Sequence, residues 1–361
     1  MRILYDGILF FHHPIGGASR YYENIITHLG SDVQRHLYLL DDYPITQSEQ
    51  IKVHKYQRLG FRPGKLSYAL EPYYFKALNA LIKPDIYHTS LYESITREPL
   101  ECMRIKKIVT ILDMIQEKYA DIMPQATAQI ERKRKAIESA DAIICISEST
   151  RNDLIEHYPH VANRAVVTLL ASSWAQSSPV ESSPSQPYFL FVAGRKYYKN
   201  FAYALKGFSI HAQSYPETQL IVTGSPFSPE EQTVIEQYKL SDRVVAHSNV
   251  NDSRLQELYQ NACALIYPSE YEGFGIPILE AMLSATPVIA VKAASIPEVA
   301  GDAAYYVPPR DEEAIAAAMN DLYAHRSVRM DYIKRGTIQA GNFSWEKTAQ
   351  ETQSIYSQLI H

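Results

Sequence analysis

Pro268-Ser269-Glu270-Tyr271-Glu272-Gly273-Phe274-Gly275-Ile276-Pro277-Ile278-Leu279-Glu280-Ala281-Met282 is the stretch on which the reading of this 361-residue chain turns. It sets Glu272 and Glu280 eight positions apart, with a glycine turn between them. Gly273 and Gly275 let the backbone come close to a ligand with no Cβ in the way. Pro277 reads as the first residue of a helix. An open helix start offers unpaired N–H groups and the positive end of the macrodipole, which suits a phosphate. Carboxylates accept hydrogen bonds from hydroxyls. An anion site flanked by two such acids fits a nucleotide sugar. The plainer reading is a strand–turn–helix junction with two surface glutamates.

Upstream, an apolar strand at 188–193 runs into Gly194-Arg195-Lys196-Tyr197-Tyr198-Lys199-Asn200. Arginine gives a two-toothed fork and lysine a point charge, so these cations make a candidate diphosphate clamp. The competing reading is a basic helix start on the surface. A positive charge at a helix N-terminus opposes the macrodipole, which weighs against it.

Both halves of the chain alternate short apolar runs with helical patterns, which implies parallel sheets covered by helices. The first half has strand candidates at 2–6, 36–40, 85–88, 107–112, 142–146 and 165–169. Its helices fall at 17–29, 66–82, 125–139 and 149–157. In the second half the strands lie near 188–193, 219–223, 243–246, 263–267, 287–291 and 304–307. Helices fill 200–213, 229–238, 252–261, 276–284, 311–324 and 326–340. Residues 171–187 hold seven serines and three prolines, a linker composition. The expected organisation is an α/β chain of two doubly wound, Rossmann-like domains facing each other across a cleft. The first spans 1–172, a Ser/Pro-rich linker covers 173–187, and the second spans 188–343. The final helix, within 344–361, follows a second domain that already looks complete, and is expected to return to the first. Ligands of such sheets sit at the carboxyl ends of the strands.

The bulk properties exclude several classes. A net charge of −5 gives no case for nucleic acid. The runs Arg104-Ile105-Lys106-Lys107 and Arg132-Lys133-Arg134-Lys135 read as a strand edge or a solvated helix face. A weak peripheral contact with anionic lipid is the second reading. Three cysteines with no C-x-x-C argue against a disulfide framework and fit a reducing compartment. An acid at position 6 comes too early for a signal peptide. No apolar run reaches the roughly 18 residues that span a bilayer. A cytoplasmic protein is the expectation. The twelve histidines have no metal spacing, and no D-x-D pair is present. The reading is therefore of chemistry with neither metal nor cofactor, in which protein cations neutralise a leaving group. In the first half, the loop after strand 2–6 ends in Gly16-Gly17 before a helix. Paired glycines there permit close backbone approach, and a plain turn fits equally.

Taken in order, these motifs resemble the retaining glycosyltransferases of family GT4, with the GT-B fold. The blocks are Gly16-Gly17-Ala18-Ser19-Arg20-Tyr21, Ala140 to Thr150, Gly194-Arg195 with Tyr198-Lys199-Asn200, Tyr267 to Met282, Ile296 to Ala303, and Phe343-Ser344-Trp345. The two glutamates of the Tyr267–Met282 block, with seven residues between them, are the most specific. The resemblance implies that Arg195 and Lys199 bind the donor diphosphate, helped by backbone amides near Phe274, Gly275 and Ile276. It implies that Glu272 contacts the transferred sugar, that Glu280 binds the ribose, and that Gly16 and Gly17 line the donor–acceptor junction. The family usually carries a His-Asp pair after a first-domain strand. Here Leu112 precedes Asp113, so Asp113 remains as a catalytic candidate and the histidine is missing.

The implied activity is transfer of a hexose-type sugar from GDP-mannose or a UDP-hexose to a glycan or lipid-linked acceptor. A low-turnover nucleotide-sugar or glycan-binding partner of an active transferase is the alternative, motivated by Leu112. A GT-B epimerase or phosphorylase is a further rival.

Overall fold

The computed structural model describes residues 1–40, 42–45, 47–58, 64–123, 126–179, 186–195 and 197–360. Lys196 and residues 180–185 of the expected linker lie outside them. The chain divides into two units, Met1–Leu170 with Ser344–His361, and Ala171–Phe343.

The first unit is built on seven parallel strands: β1 (Arg2–Asp6), β2 (Gln34–Leu39), β3 (Ile51–Lys55), β4 (Ile86–Thr89), β5 (Lys106–Ile111), β6 (Ala142–Cys145) and β7 (Ala165–Val167). Their order across the sheet is β3-β2-β1-β4-β5-β6-β7. Tyr5 of β1 stands between Leu37 of β2 and His88 of β4. Its helices are α1 (Ile8–His12), α2 (Gly17–His28), α3 (Gly64–Ile82), α4 (Ile115–Lys118), α5 (Ala126–Ser139) and α6 (Glu148–His157). Strand β3 and the short helices α1 and α4 were not expected. β3 is an edge strand of sequence Ile-Lys-Val-His-Lys, with too little apolar signal to announce itself. Helix α2 shows the usual logic: Tyr21, Tyr22, Ile25 and Ile26 recur at helical spacing and are buried.

The second unit has six parallel strands, β8 (Tyr188–Val192), β9 (Gln219–Thr223), β10 (Val244–His247), β11 (Leu265–Tyr267), β12 (Val288–Val291) and β13 (Ala304–Val307), ordered β10-β9-β8-β11-β12-β13. Its helices are α7 (Phe201–Ser214), α8 (Pro229–Gln237), α9 (Asp252–Gln260), α10 (Ile276–Leu283), α11 (Ile296–Ala300), α12 (Glu312–Ala324) and α13 (Arg326–Ala340). Side chains fix several helix starts. Ser228 and Glu231 form a reciprocal capping box on α8, Asn251 caps α9, and Asp311 caps α12. Phe189, Phe191, Leu220, Val222, Ile266 and Ile289 from the strands pack with Phe208, Ile315 and Met319 from the helices. Each such side chain contributes roughly 1.5–3 kcal/mol when fully buried. Trp174 and Ser177 belong to this unit. Trp174 meets the Tyr259 ring edge-on, and the Ser177 amide donates to the Leu283 carbonyl at 2.7 Å.

The last helix, α14 (Trp345–Ile360), belongs to the first unit. Thr348 donates to the Leu169 carbonyl at 2.7 Å, and the Tyr356 hydroxyl reaches both Tyr5 and His88.

Each sheet reverses its winding direction once, between β1 and β4 in the first unit and between β8 and β11 in the second. In open parallel sheets, crevices for ligands form at the carboxyl ends of the strands at that point.

Candidate functional site

In the second unit the reversal brings the ends of β8 and β11 side by side. The chain leaving β8 makes a single 3-10 turn, Tyr197–Lys199, and then passes through Asn200 in the left-handed region before α7 begins. The chain leaving β11 runs through 268–275 into α10. Asn200 ties the two together: its Nδ2 donates to the Pro268 carbonyl at 3.0 Å and to Glu270 Oε1 at 2.9 Å. Glu270 also holds a two-pronged pair with Arg310, at 2.7 and 2.9 Å. The Arg310 guanidinium draws the Glu270 carboxyl below the usual range.

Lys199 and Glu272 meet across this junction. The ammonium donates to both carboxylate oxygens, at 2.5 and 2.7 Å, with the two side chains 15% and 10% exposed. Such a pair sits in a lower dielectric than a surface pair and is held by its surroundings. The rings of Tyr198 and Tyr267 flank the ammonium. Burial raises the Tyr267 hydroxyl well above its ordinary pKa, and the neighbouring Glu272 carboxylate adds to the shift, so that hydroxyl stays protonated. Arg195 points elsewhere: Nε donates to Glu231 Oε1 at 2.6 Å, a second nitrogen donates to the Pro226 carbonyl at 2.7 Å, and Phe227 lies against the guanidinium. Lys199 and Glu272 therefore touch, whereas Arg195 is anchored on the α8 side of the same strand end.

Helix α10 starts at Ile276, so Pro277 is its second residue rather than its first. Gly275 is the N-cap, with φ +110°, a conformation that strains any residue with a Cβ. No side chain caps this start, and Ile276 and Pro277 are half-buried. Pro277 has no N–H and the Ile278 amide donates to the Gly275 carbonyl at 2.9 Å, so the donor this start presents is the Ile276 amide. Phe274 is buried edge-on against Phe343. Glu280, on the first turns of α10, is 3% exposed and accepts from the Tyr259 hydroxyl at 3.3 Å. It faces inward, a full helical turn below the open end.

One residue of this assembly carried no signal in the sequence. Ser295, fully buried just before α11, donates to the carbonyls of Glu272 and Phe274 at 2.9 and 2.8 Å. It clamps the glycine turn from the neighbouring strand connection. Glu231 is a second residue that the sequence reading missed: it closes the capping box of α8 and also holds Arg195.

The remaining candidates lie in the first unit. Gly16, with φ +145°, is the N-cap of α2, and both Gly16 and Gly17 are exposed. Asp113 follows β5, and its Oδ1 accepts from the Ile115 amide at 3.1 Å, which turns the chain into α4. The Asp113 carbonyl accepts from Lys133 at 3.1 Å. Lys133 was read as part of a solvated basic face. It is 1% exposed and paired with Glu117 at 2.8 Å, which makes it the brace of this loop. Three other bases of the two runs are also engaged. Lys106 pairs with Asp141, Arg132 with Glu93, and Arg134 with Glu131 and Glu138.

Comparison with known proteins bears on this arrangement. The family model described as Glycosyltransferase Family 4 matches residues 15–169, and the one described as Glycosyl transferases group 1 matches 172–339. The O-antigen chain mannosyltransferase B of Escherichia coli is 32% identical over 245 residues, covering 62% of this chain. The match spans about three fifths of that relative's length, 62%. Among solved structures, sucrose-phosphate synthase from Thermosynechococcus elongatus superposes with a TM-score of 0.77 at 19% identity, over 99% of both chains. Anabaena HepE, solved with UDP and glucose, gives a TM-score of 0.71 at 16% identity, again over 99% of both. With both family models matched in order and two parallel-sheet Rossmann-like units in place, the chain belongs to the GT4 glycosyltransferases of GT-B fold.

Proposed function

We propose that the protein is a retaining glycosyltransferase. It moves a hexose-type sugar, mannose first, from a nucleoside diphosphate to a hydroxyl of a glycan or lipid-linked acceptor in polysaccharide synthesis. The observation that carries this reading is the Lys199–Glu272 pair at the sheet's reversal point, beside the uncapped start of α10. The relative's mannosyltransferase name favours GDP-mannose, and the UDP in the HepE structure keeps a UDP-hexose open as donor.

The roles follow from chemistry. As the bond from sugar C1 to the diphosphate lengthens, the sugar becomes oxocarbenium-like and negative charge collects on the leaving group. Lys199, Arg195 and the amides at Phe274, Gly275 and Ile276 are assigned to that charge. They make a metal ion unnecessary in this scheme. Glu272 is assigned to the sugar hydroxyls and Glu280 to the ribose. The acceptor hydroxyl attacks from the face the diphosphate leaves, and a diphosphate oxygen takes its proton. Gly16, Gly17 and Asp113 are assigned to the junction with the acceptor.

A second reading rests on Leu112, half-buried ahead of Asp113 at the place where the family resemblance implies a histidine. Leucine cannot hydrogen-bond a sugar hydroxyl, so a binder that turns over slowly is the competing function. Assays of donor hydrolysis and of transfer, with GDP-mannose and UDP-hexoses and with a chelator present, separate the two. The transferase reading expects turnover of at least one donor that survives the chelator. A donor that binds without turnover on any acceptor, together with rescue by Leu112→His, establishes the second reading.

A further inference from the structure

Six of the fourteen large hydrophobic side chains exposed among the described residues lie on one helix, α3: Leu66, Tyr68, Leu70, Tyr73, Tyr74 and Leu81. Tyr73 is 70% and Leu81 79% exposed. At about 100° per residue, Leu66, Leu70, Tyr73, Ala77 and Leu81 fall within roughly 80° of one another, so they form a continuous outward stripe. The opposite face is already used: Ser67, Glu71 and Phe75 are buried against the unit. The helix is thus apolar on two sides, and only one is covered. Apolar stripes of this kind on a water-soluble surface mark contact sites.

The charges around the stripe say what it contacts. Exposed Lys65 and Lys76 stand on one flank of it, and exposed Lys83, just past the helix end, falls on the same side. The helix has a single acid, Glu71, which is 2% exposed and paired with both Arg58 and Arg97. The outward face therefore carries hydrophobes, tyrosines and positive charge, with no negative group. A second copy of the same face would bring lysines together without a counter-charge. An anionic bilayer surface supplies both missing partners: acyl chains for the leucines and headgroup charge for the lysines. Tyrosine, half apolar and half polar, suits that boundary. No helix among the described residues is long and apolar enough to cross a membrane. Contact would therefore be in the plane of the interface, along about 28 Å of helix.

We propose that the outward face of α3 docks the protein on an anionic phospholipid surface. This goes beyond the transferase reading and does not depend on it. It also places the contact on a different element from the two basic runs at 104–107 and 132–135.

The test uses the full chain and vesicle flotation with phosphatidylglycerol or phosphatidylcholine vesicles. The expected result is recovery with phosphatidylglycerol vesicles, at least about tenfold above phosphatidylcholine, weakening as salt rises. The triple variant Leu66→Ser, Tyr73→Ser, Leu81→Ser should lose about tenfold or more of that partitioning. The triple variant Lys65→Gln, Lys76→Gln, Lys83→Gln should lose the preference for the anionic lipid. All six positions are exposed, so both variants should keep the wild-type melting curve and circular dichroism. Wild type that ignores phosphatidylglycerol vesicles, or variants that float like wild type, overturns the proposal. So does a wild-type dimer in sedimentation that the serine variant dissociates while no vesicle binding occurs; that outcome assigns the stripe to a second copy.

Discussion

The two sheets are wound alike and filled differently. In the second unit the strands bring phenylalanine, leucine, isoleucine and valine to the interior, and buried polar groups such as Asn200, Ser269, Glu272 and Ser295 gather at the strand ends. In the first unit, polar groups run through the middle of the sheet. His88, fully buried on β4, bonds the Tyr356 hydroxyl through Nδ1 at 2.7 Å and Thr110 through Nε2 at 2.8 Å. Tyr356 also bonds Tyr5 at 2.8 Å. Buried Asp6 accepts from the amides of Ile8 and Ile95 and from the Tyr87 hydroxyl. The same architecture thus uses polarity for two ends. In the first unit it fastens a helix from the far end of the chain to the central strands. In the second, the polar groups named stand at the strand ends, and others such as His211 tie helices to each other. A satisfied buried network specifies one arrangement, and it is intolerant of losing a member.

The comparison is broken most severely through the backbone. A Cβ on Gly7 would overlap the Tyr38 carbonyl, which belongs to β2 and cannot move without breaking the sheet. A Cβ on Gly207 would come within 2.7 Å of Ile315 Cγ2 and 2.9 Å of its Cβ, so α12 has to move away as a body, a smaller step than breaking a strand. Gly7→Ala should destabilise the first unit by more than about 3 kcal/mol, and Gly207→Ala the second by about 1–3 kcal/mol. Denaturant unfolding with a probe in each unit reads both. Equal costs would mean that the first sheet gives way as easily as a helix contact.

The network offers a smaller and sharper test. Tyr356→Phe leaves the Tyr5 hydroxyl and His88 Nδ1 short of a partner, at about 1–3 kcal/mol for a buried group so stranded. The loss should appear as faster amide exchange in α14 and leave the second unit untouched. The pH dependence points the same way. Burial lowers His88 to about 3, against an ordinary value near 6.5. On acidification the unfolded chain takes that proton first, so stability is full above about pH 6.5 and falls below it, by about 1.4 kcal/mol per pH unit. Burial raises Asp6 to about 6, so the folded state takes that proton first and recovers stability as pH falls from 6 toward 4. The two oppose each other. Asp6→Asn should therefore steepen the acid limb of the first unit, and an unchanged limb would show that folding does not raise the Asp6 carboxyl.

The same contrast explains what could be read from residues alone. The second unit was legible because its strands are apolar runs and its helices start close to where the pattern placed them, Ser228 and Asp311 capping those starts. The glutamate pair and the glycine turn singled out the end of β11, where the structure joins Glu272 to Lys199, since their pattern is local in sequence. Ser295 was not legible: it acts on carbonyls 21 and 23 positions away, and a lone serine has no pattern. β3 was hidden because an edge strand can alternate lysine and histidine with its apolar residues. Lys133 was misread because charge runs are usually solvated, and only the fold brings Glu117 to it. Periodicity did reveal α3, but it cannot say which of two apolar faces the unit will cover.

The central claim is that Lys199, held at its junction with Glu272, stabilises the charge leaving with the diphosphate. Steady-state kinetics of Lys199→Ala against wild type, in chelator, test it most directly. The account predicts a fall in kcat of about 10²–10³, the scale of losing one preorganised donor to a developing anion, with KM changed by only a few-fold. Lys199→Arg should recover part of the loss. A Lys199→Ala enzyme that turns over like wild type, or wild-type turnover that stops with chelator and returns with Mn²⁺, would contradict it.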